Sequence, residues 1–151
     1  MKNKMTTFML GLIIITGNAC KKEESKDNSS PNGGGTSVAG FSCKIDGTAF
    51  TADSARINTY SGGFSIMAFK GGSTAFEINL KEPAVGKHSL AAGSNEAATY
   101  VTSSAYFVNT AGEVAITAFD ATAKTGNGTF YFTGANGSDA KNFTEGAFNI
   151  K

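Results

Sequence analysis

Short runs in which apolar and polar residues alternate one for one are the feature that most limits what this chain can become. Phe76, Ile78 and Leu80 alternate with Glu77, Asn79 and Lys81; Val114, Ile116 and Ala118 with Glu113 and Thr117; Phe130 and Phe132 with Thr129 and Thr133. Successive side chains of a strand leave on opposite faces, so a period of two means strands with one face buried and the other wet. No window of the same stretch sustains a 3.6-residue apolar period. The best helical candidate, Ser94 to Ala98, is short enough to be loop.

Turn residues cut these runs at close intervals. Asp46-Gly47, Ser61-Gly62-Gly63, Gly71-Gly72, Asn109 to Gly112, Gly126-Asn127-Gly128 and Asn136-Gly137 separate segments rich in Phe, Ile, Val, Thr and Tyr. Asp46-Gly47, between Phe41–Ile45 and Thr48–Thr51, is the strongest hairpin signal, because both residues tolerate the positive φ that a tight hairpin turn demands. The pattern predicts an all-β domain of about eight or nine antiparallel strands with meander-like connections, and a single sandwich or a small barrel satisfies it equally.

The alternation holds only from about Val38 onward, and what precedes it has a different composition. Met1 to Lys4 are basic, Phe8 to Ile15 are apolar, and Thr16-Gly17-Asn18-Ala19 are small or polar residues just before Cys20. This is the three-part build of a secretory signal, and its apolar run is shorter than the roughly 20 residues a permanent membrane helix needs. From Lys21 to Thr36 the chain reads KKEESKDNSSPNGGGT, without one apolar residue. Such a segment has nothing to bury against its ordering entropy and is expected to act as a disordered tether spanning about 20–25 Å. The expected organisation is therefore a signal peptide over 1–19, a tether over 20–37 that begins at Cys20, and one all-β domain over 38–151. A domain of that size can support a core without disulfide or metal.

Residues 40–151 carry eight Lys or Arg and nine acidic residues, a net charge of −1. They show no clustered basic stripe of the kind that tracks a phosphate backbone, so nucleic acid is not an expected partner. Cys43 is the only cysteine of the domain, which leaves no disulfide framework. Beside Phe41 and Ile45 it reads as a small buried apolar residue.

Catalytic and metal-binding patterns are thin. The lone histidine, His88, has only Cys43 as a possible second ligand of the usual kinds, and reads as a surface or strand-edge residue. No Gly-x-Ser-x-Gly elbow accompanies the many hydroxyls. Asp46, Asp53, Glu77, Glu82, Glu96, Glu113, Asp120, Asp139 and Glu145 could supply a carboxylate pair, yet most fall at turns or on the polar phase of strands, where solvation is the ordinary explanation. Asn136 to Asn142 is rich in oxygen ligands but lacks the calcium-loop spacing, and reads as a polar hairpin loop. No catalytic residue, metal site or cofactor is expected. Among the tyrosines Tyr60, Tyr100, Tyr106 and Tyr131, the last stands out: between Phe130 and Phe132 it must face the other way, as a ligand contact or as cross-strand packing on the second face.

Three resemblances bear on these residues. The segment ending at Cys20 resembles a lipobox, with Ala19 in the expected place and Gly17 where a leucine-like residue is usual. Phe41-x-Cys43-x-Ile45-Asp46-Gly47-Thr48-x-Phe50, Gly112-Glu113-Val114-Ala115-Ile116-Thr117, Gly128-Thr129-Phe130-Tyr131-Phe132 and Glu145-Gly146-x-Phe148 resemble a family of Bacteroidota lipoprotein domains of unknown function. That resemblance implies an all-β lipoprotein and brings no catalytic residues with it. Beside the anchor, Lys22-Glu23-Glu24 is similar to the lysine-plus-two-acidics signal that sends lipoproteins of that phylum to the cell surface.

The expected protein is thus a non-enzymatic lipoprotein held to the outer membrane by the lipid on Cys20, exposed at the cell surface or facing the periplasm. Its monomeric β-domain would bind an extracellular or periplasmic ligand, with Tyr131 as a contact. The competing expectations are a carbohydrate- or cell-wall-active enzyme built on paired carboxylates, and a carrier with an apolar interior.

Overall fold

A computed structural model of the chain describes residues 40–81 and 85–151. Their strands are β1 (Gly40–Ile45), β2 (Thr48–Thr51), β3 (Ser54–Tyr60), β4 (Gly63–Lys70), β5 (Ser73–Leu80), β6 (Gly86–Ser89), β7 (Ala97–Val101), β8 (Tyr106–Asp120), β9 (Thr125–Asn136) and β10 (Asp139–Ile150). All pairings are antiparallel, in the order β2-β1-β10-β9-β8-β7-β5-β4-β3, with β6 beside β8. The all-β meander is as the alternation predicted, with ten strands in one sheet. Ser94 to Ala98 forms no helix, and Ala97 already opens β7.

The choice between sandwich and barrel falls to a curled half-barrel. Phe41 of β1 and Phe76 of β5 lie five places apart in the strand order, which in a flat sheet would separate them by about 24 Å at the usual spacing of strands. Their ring centroids are 5.0 Å apart. The sheet has therefore rolled until its two ends face each other across a shared interior. That interior is one cluster with contributions from β1, β3, β4, β5, β7, β8, β9 and β10, and its largest fully buried side chains include Phe64, Phe76, Phe132 and Phe143.

Asn109 to Gly112 and Gly126-Asn127-Gly128 do not turn but continue inside β8 and β9, where pairing on both sides holds the backbone extended, whereas two of the hairpin turns follow the local chemistry. Asp46 (φ 49°) and Gly47 (φ 82°) both take positive φ and close the β1–β2 hairpin as predicted. At the β9–β10 hairpin, Asn136 pairs with Asp139, so the loop residues are Gly137 (φ 62°) and Ser138. Glycine in the first loop position is the arrangement of a II′ turn.

One alternation fails. Val114 and Ile116 are buried as expected, but Ala118 is exposed, because the register of β8 against β9 shifts between Ile116 and Ala118. An extra residue at that bulge reverses the phase. Phe119 consequently turns inward to meet Phe64 at 4.3 Å.

β8 is flanked on one edge first by β7 and then by β6. Between them Leu90 N donates to Gly112 O at 2.9 Å and Ala92 N to Thr110 O at 3.0 Å, continuing the ladder. The buried Asn109 holds this junction: its Oδ1 accepts from Ala98 N at 2.9 Å and its Nδ2 donates to Leu90 O at 2.6 Å. Both backbone groups would otherwise be left unpaired inside the fold.

Candidate functional site

The alternation that buries Phe130 and Phe132 puts Tyr131 on the convex outer face of β9, where it is 54% exposed. Its environment is set by the register of its neighbours. Across β8 it faces Glu113. Across β10 its counterpart falls in a bulge between Phe143 and Gly146, where Glu145 adopts a φ of 51°. Glu113 receives Lys87 of β6 at 3.0 Å, and Glu145 receives Lys44 of β1 at 2.7 Å. Lys87, Glu113, Tyr131, Glu145 and Lys44 therefore form one row across five strands: an open phenol ring with an ion pair on each side.

Close backbone approach supports the row. A Cβ on Gly112 (φ 146°) would lie 2.3 Å from Tyr131 O, and one on Gly146 would lie 2.5 Å from Phe130 O. Each glycine is the chain neighbour of the glutamate that flanks the ring. The Lys87 ammonium is held above its ordinary range by its hydrogen bond to Glu113 and then by that carboxylate's charge. The row has two cations and two anions, so it offers a neutral surface on which a flat or C–H-rich ligand can stack while donors and acceptors meet its edges.

The other residues raised from sequence are distributed differently. Tyr60 and Tyr106 are exposed, whereas Tyr100 turns inward, its ring 4.8 Å from Phe76. His88 lies on β6, a strand paired on one side only, with β8, so it is at a strand edge, but its ring is largely covered, with Nδ1 3.7 Å from Glu96 Oε1. Cys43 is buried on β1, and burial pushes its thiol up to about 12. The candidate carboxylates are mostly committed to local partners: Asp46 to Lys141 at 3.0 Å, Asp53 to Lys70 at 2.6 Å, and Asp120 to the backbone N–H groups of Thr122 and Ala123 at 2.8 Å. Among the described residues no three His, Cys, Asp or Glu side chains group as metal ligands. Cys20, Lys22, Glu23 and Glu24 lie outside the described residues, as does Glu82.

Sequence reasoning found Tyr131 but not Lys44 or Lys87, which join it only through strand pairing. It also passed over a cleft at one mouth of the curl, bordered by Phe50 of β2, Ser73 to Ala75 of β5 and Tyr100 to Ser103.

Compared with known proteins, residues 38–150 match a family model described as a domain of unknown function (DUF6252). No curated protein and no solved structure matches the chain.

Proposed function

The chain belongs to the DUF6252 family across residues 38–150, and on that premise we propose that it is a Bacteroidota-type lipoprotein, anchored in the outer membrane through lipid on Cys20 and presenting a non-catalytic binding domain at the cell surface. The basic, apolar and small-residue leader before Cys20, and the apolar-free segment after it, support the anchor. The Lys22-Glu23-Glu24 triplet supports the outward orientation.

The observation that carries the binding role is Tyr131, a large aromatic ring held open to solvent between two ion pairs. Cross-strand packing would have covered the ring, and exposed aromatics of this kind are a usual source of binding energy. Binding inside the curl, as a carrier would require, is disfavoured because Phe41, Phe76, Phe130, Phe132 and Phe143 fill that space with mutually packed rings.

Replacing Cys20 by Ser tests the anchor and supplies the material to test the rest. The variant is expected to leave the membrane fraction and to lose labelled fatty acid. Added to cells that lack the chain, the released protein should be retained on their surface, and Tyr131→Ala should abolish that retention. Membrane association of Cys20→Ser would overturn the anchor, and equal retention of Tyr131→Ala would remove Tyr131 as the contact.

A further inference from the structure

The cleft at the mouth of the curl lies away from the Tyr131 row and has a chemistry of its own. Its volume is about 480 Å³, a size that suits a small ligand. Phe50, from one end of the rolled sheet, and Tyr100, from the other side of the opening, meet there with centroids 6.5 Å apart and planes at 83°. Two aromatic faces thus make a right-angled corner, extended by Val101 and Ala75.

The rim above this corner carries hydroxyls. Ser73, Thr74 and Ser103 border it, and none of them is hydrogen-bonded through its side chain to another described residue. Thr102 is committed instead, accepting from Ala105 N at 2.9 Å and so fixing the turn that carries Ser103. The Tyr100 hydroxyl also lacks a partner among the described residues. Since no side-chain N or O atom there is both buried and unsatisfied, it must reach solvent, and the cleft is the opening Tyr100 borders.

Two ligand classes fit this lining poorly. An acyl chain would need a channel inward, but Phe76 is fully buried directly behind, 5.1 Å from Phe50 and 4.8 Å from Tyr100. An anion would need an uncompensated cation, but the one cationic side chain at the rim, Lys70, is held 2.6 Å from Asp53. What remains is a neutral ligand with an apolar face and several hydroxyls on its edge. We propose that the cleft between Phe50 and Tyr100 binds a neutral saccharide ring, its C–H face against the aromatic corner and its hydroxyls on Ser73, Thr74, Ser103 and Tyr100.

Purified full-length protein in a sugar-free zwitterionic detergent is titrated by calorimetry with neutral glucan, mannan and N-acetylglucosamine oligomers, and separately with oleate and inorganic phosphate. At least one of the neutral oligomers is expected to bind at millimolar concentration or below. Thr74→Val and Tyr100→Phe, which keep the shape of the cleft and remove one hydroxyl each, should each weaken it by about three- to tenfold, the worth of one neutral hydrogen bond. Asp139→Ala, at an exposed position of the β9–β10 hairpin outside both the cleft and the Tyr131 row, should leave that affinity unchanged. The proposal is overturned if no neutral oligomer binds, if neither hydroxyl deletion weakens binding, if Asp139→Ala weakens it as much as they do, or if oleate or phosphate binds in a manner that those deletions weaken.

Discussion

At Phe76 six aromatic rings meet one side chain: Phe41, Phe50, Tyr100, Phe130, Phe132 and Phe143 all lie with centroids 4.8 to 6.4 Å away. Those rings come from β1, β2, β7, β9 and β10, so this one residue on β5 fastens the β2–β1 end of the rolled sheet to the strands that follow it in the order. Phe76→Ala would leave a cavity that strands cannot collapse into without unrolling, and should cost roughly 3–5 kcal/mol. In urea the midpoint should fall with little change in slope. Cys43 makes a different prediction. Its thiol is pushed up to about 12 by burial, whereas an unfolded cysteine ionises near its ordinary value of about 8.5. Below that value both states are protonated and the contribution to stability is intact; as pH rises toward 12 only the unfolded state ionises, and stability is lost. Cys43→Ala should therefore show a shallower decline in thermal midpoint across that alkaline window than the native protein does. At neutral pH the native thiol should be inert to thiol reagents until the domain is unfolded.

Among the elements, β2 and β3 decide how the curl is held. They are the two ends of the strand order, yet they follow one another in the chain, joined only by Ala52 and Asp53. Ala52 N donates to Phe41 O at 2.9 Å on one side of this link, and Asp53 N donates to Phe69 O at 2.8 Å on the other. The Asp53 carboxylate then accepts from Lys70 Nζ at 2.6 Å and from Gly71 N at 2.8 Å, fastening the corner to the β4–β5 turn. Lys70 first, and then the Gly71 N–H, hold that carboxyl below its ordinary range. A lowered folded-state value contributes stability that is present above the unfolded value of about 3.9 and is lost as pH falls through the folded one. Asp53→Asn should accordingly flatten the acid limb of the stability profile below about pH 4. Asp53→Ala should speed amide exchange in β2 and β3 while leaving the β8–β9 ladder protected, which hydrogen exchange reads directly. Uniform acceleration over all strands would show that the corner has no local role.

For the whole molecule, the rolled sheet separates its surfaces by task. The concave side is filled with rings, and the convex side carries the Tyr131 row. In the proposed arrangement the polar segment between Cys20 and the domain sets the distance from the membrane, and the Lys22-Glu23-Glu24 triplet sets the side. Changing all three to Ala should leave lipidation and the thermal midpoint unaltered, because these charges lie outside the β-domain. In whole cells the same change should turn a protease-accessible domain into a protease-protected one. If intact cells shield the native domain until the outer membrane is opened, the surface assignment fails and the lipid anchor still stands.

Strands, their buried faces and the β1–β2 turn were legible in the chain because each depends on residues within a few positions of one another. Alternation declares which face of β5 or β9 is apolar, and the same alternation turned Tyr131 outward between Phe130 and Phe132. The bulges in β8 and β10 were not legible, since one extra residue reverses a strand's phase only relative to the neighbour it pairs with. Ala118 and Phe119 exchange faces for that reason, and Glu145 reaches the side of Tyr131 by the same device. Lys44 and Lys87 flank Tyr131 through strand order, and Phe50 and Tyr100 face each other through the roll of the sheet, across 50 residues of chain. By itself the sequence determined that the domain is antiparallel β with a phenylalanine core, because periodicity and turn chemistry act locally. Tertiary structure alone decided that the sheet curls into a half-barrel rather than splitting into two layers, because that depends on how large rings from distant strands pack into one interior.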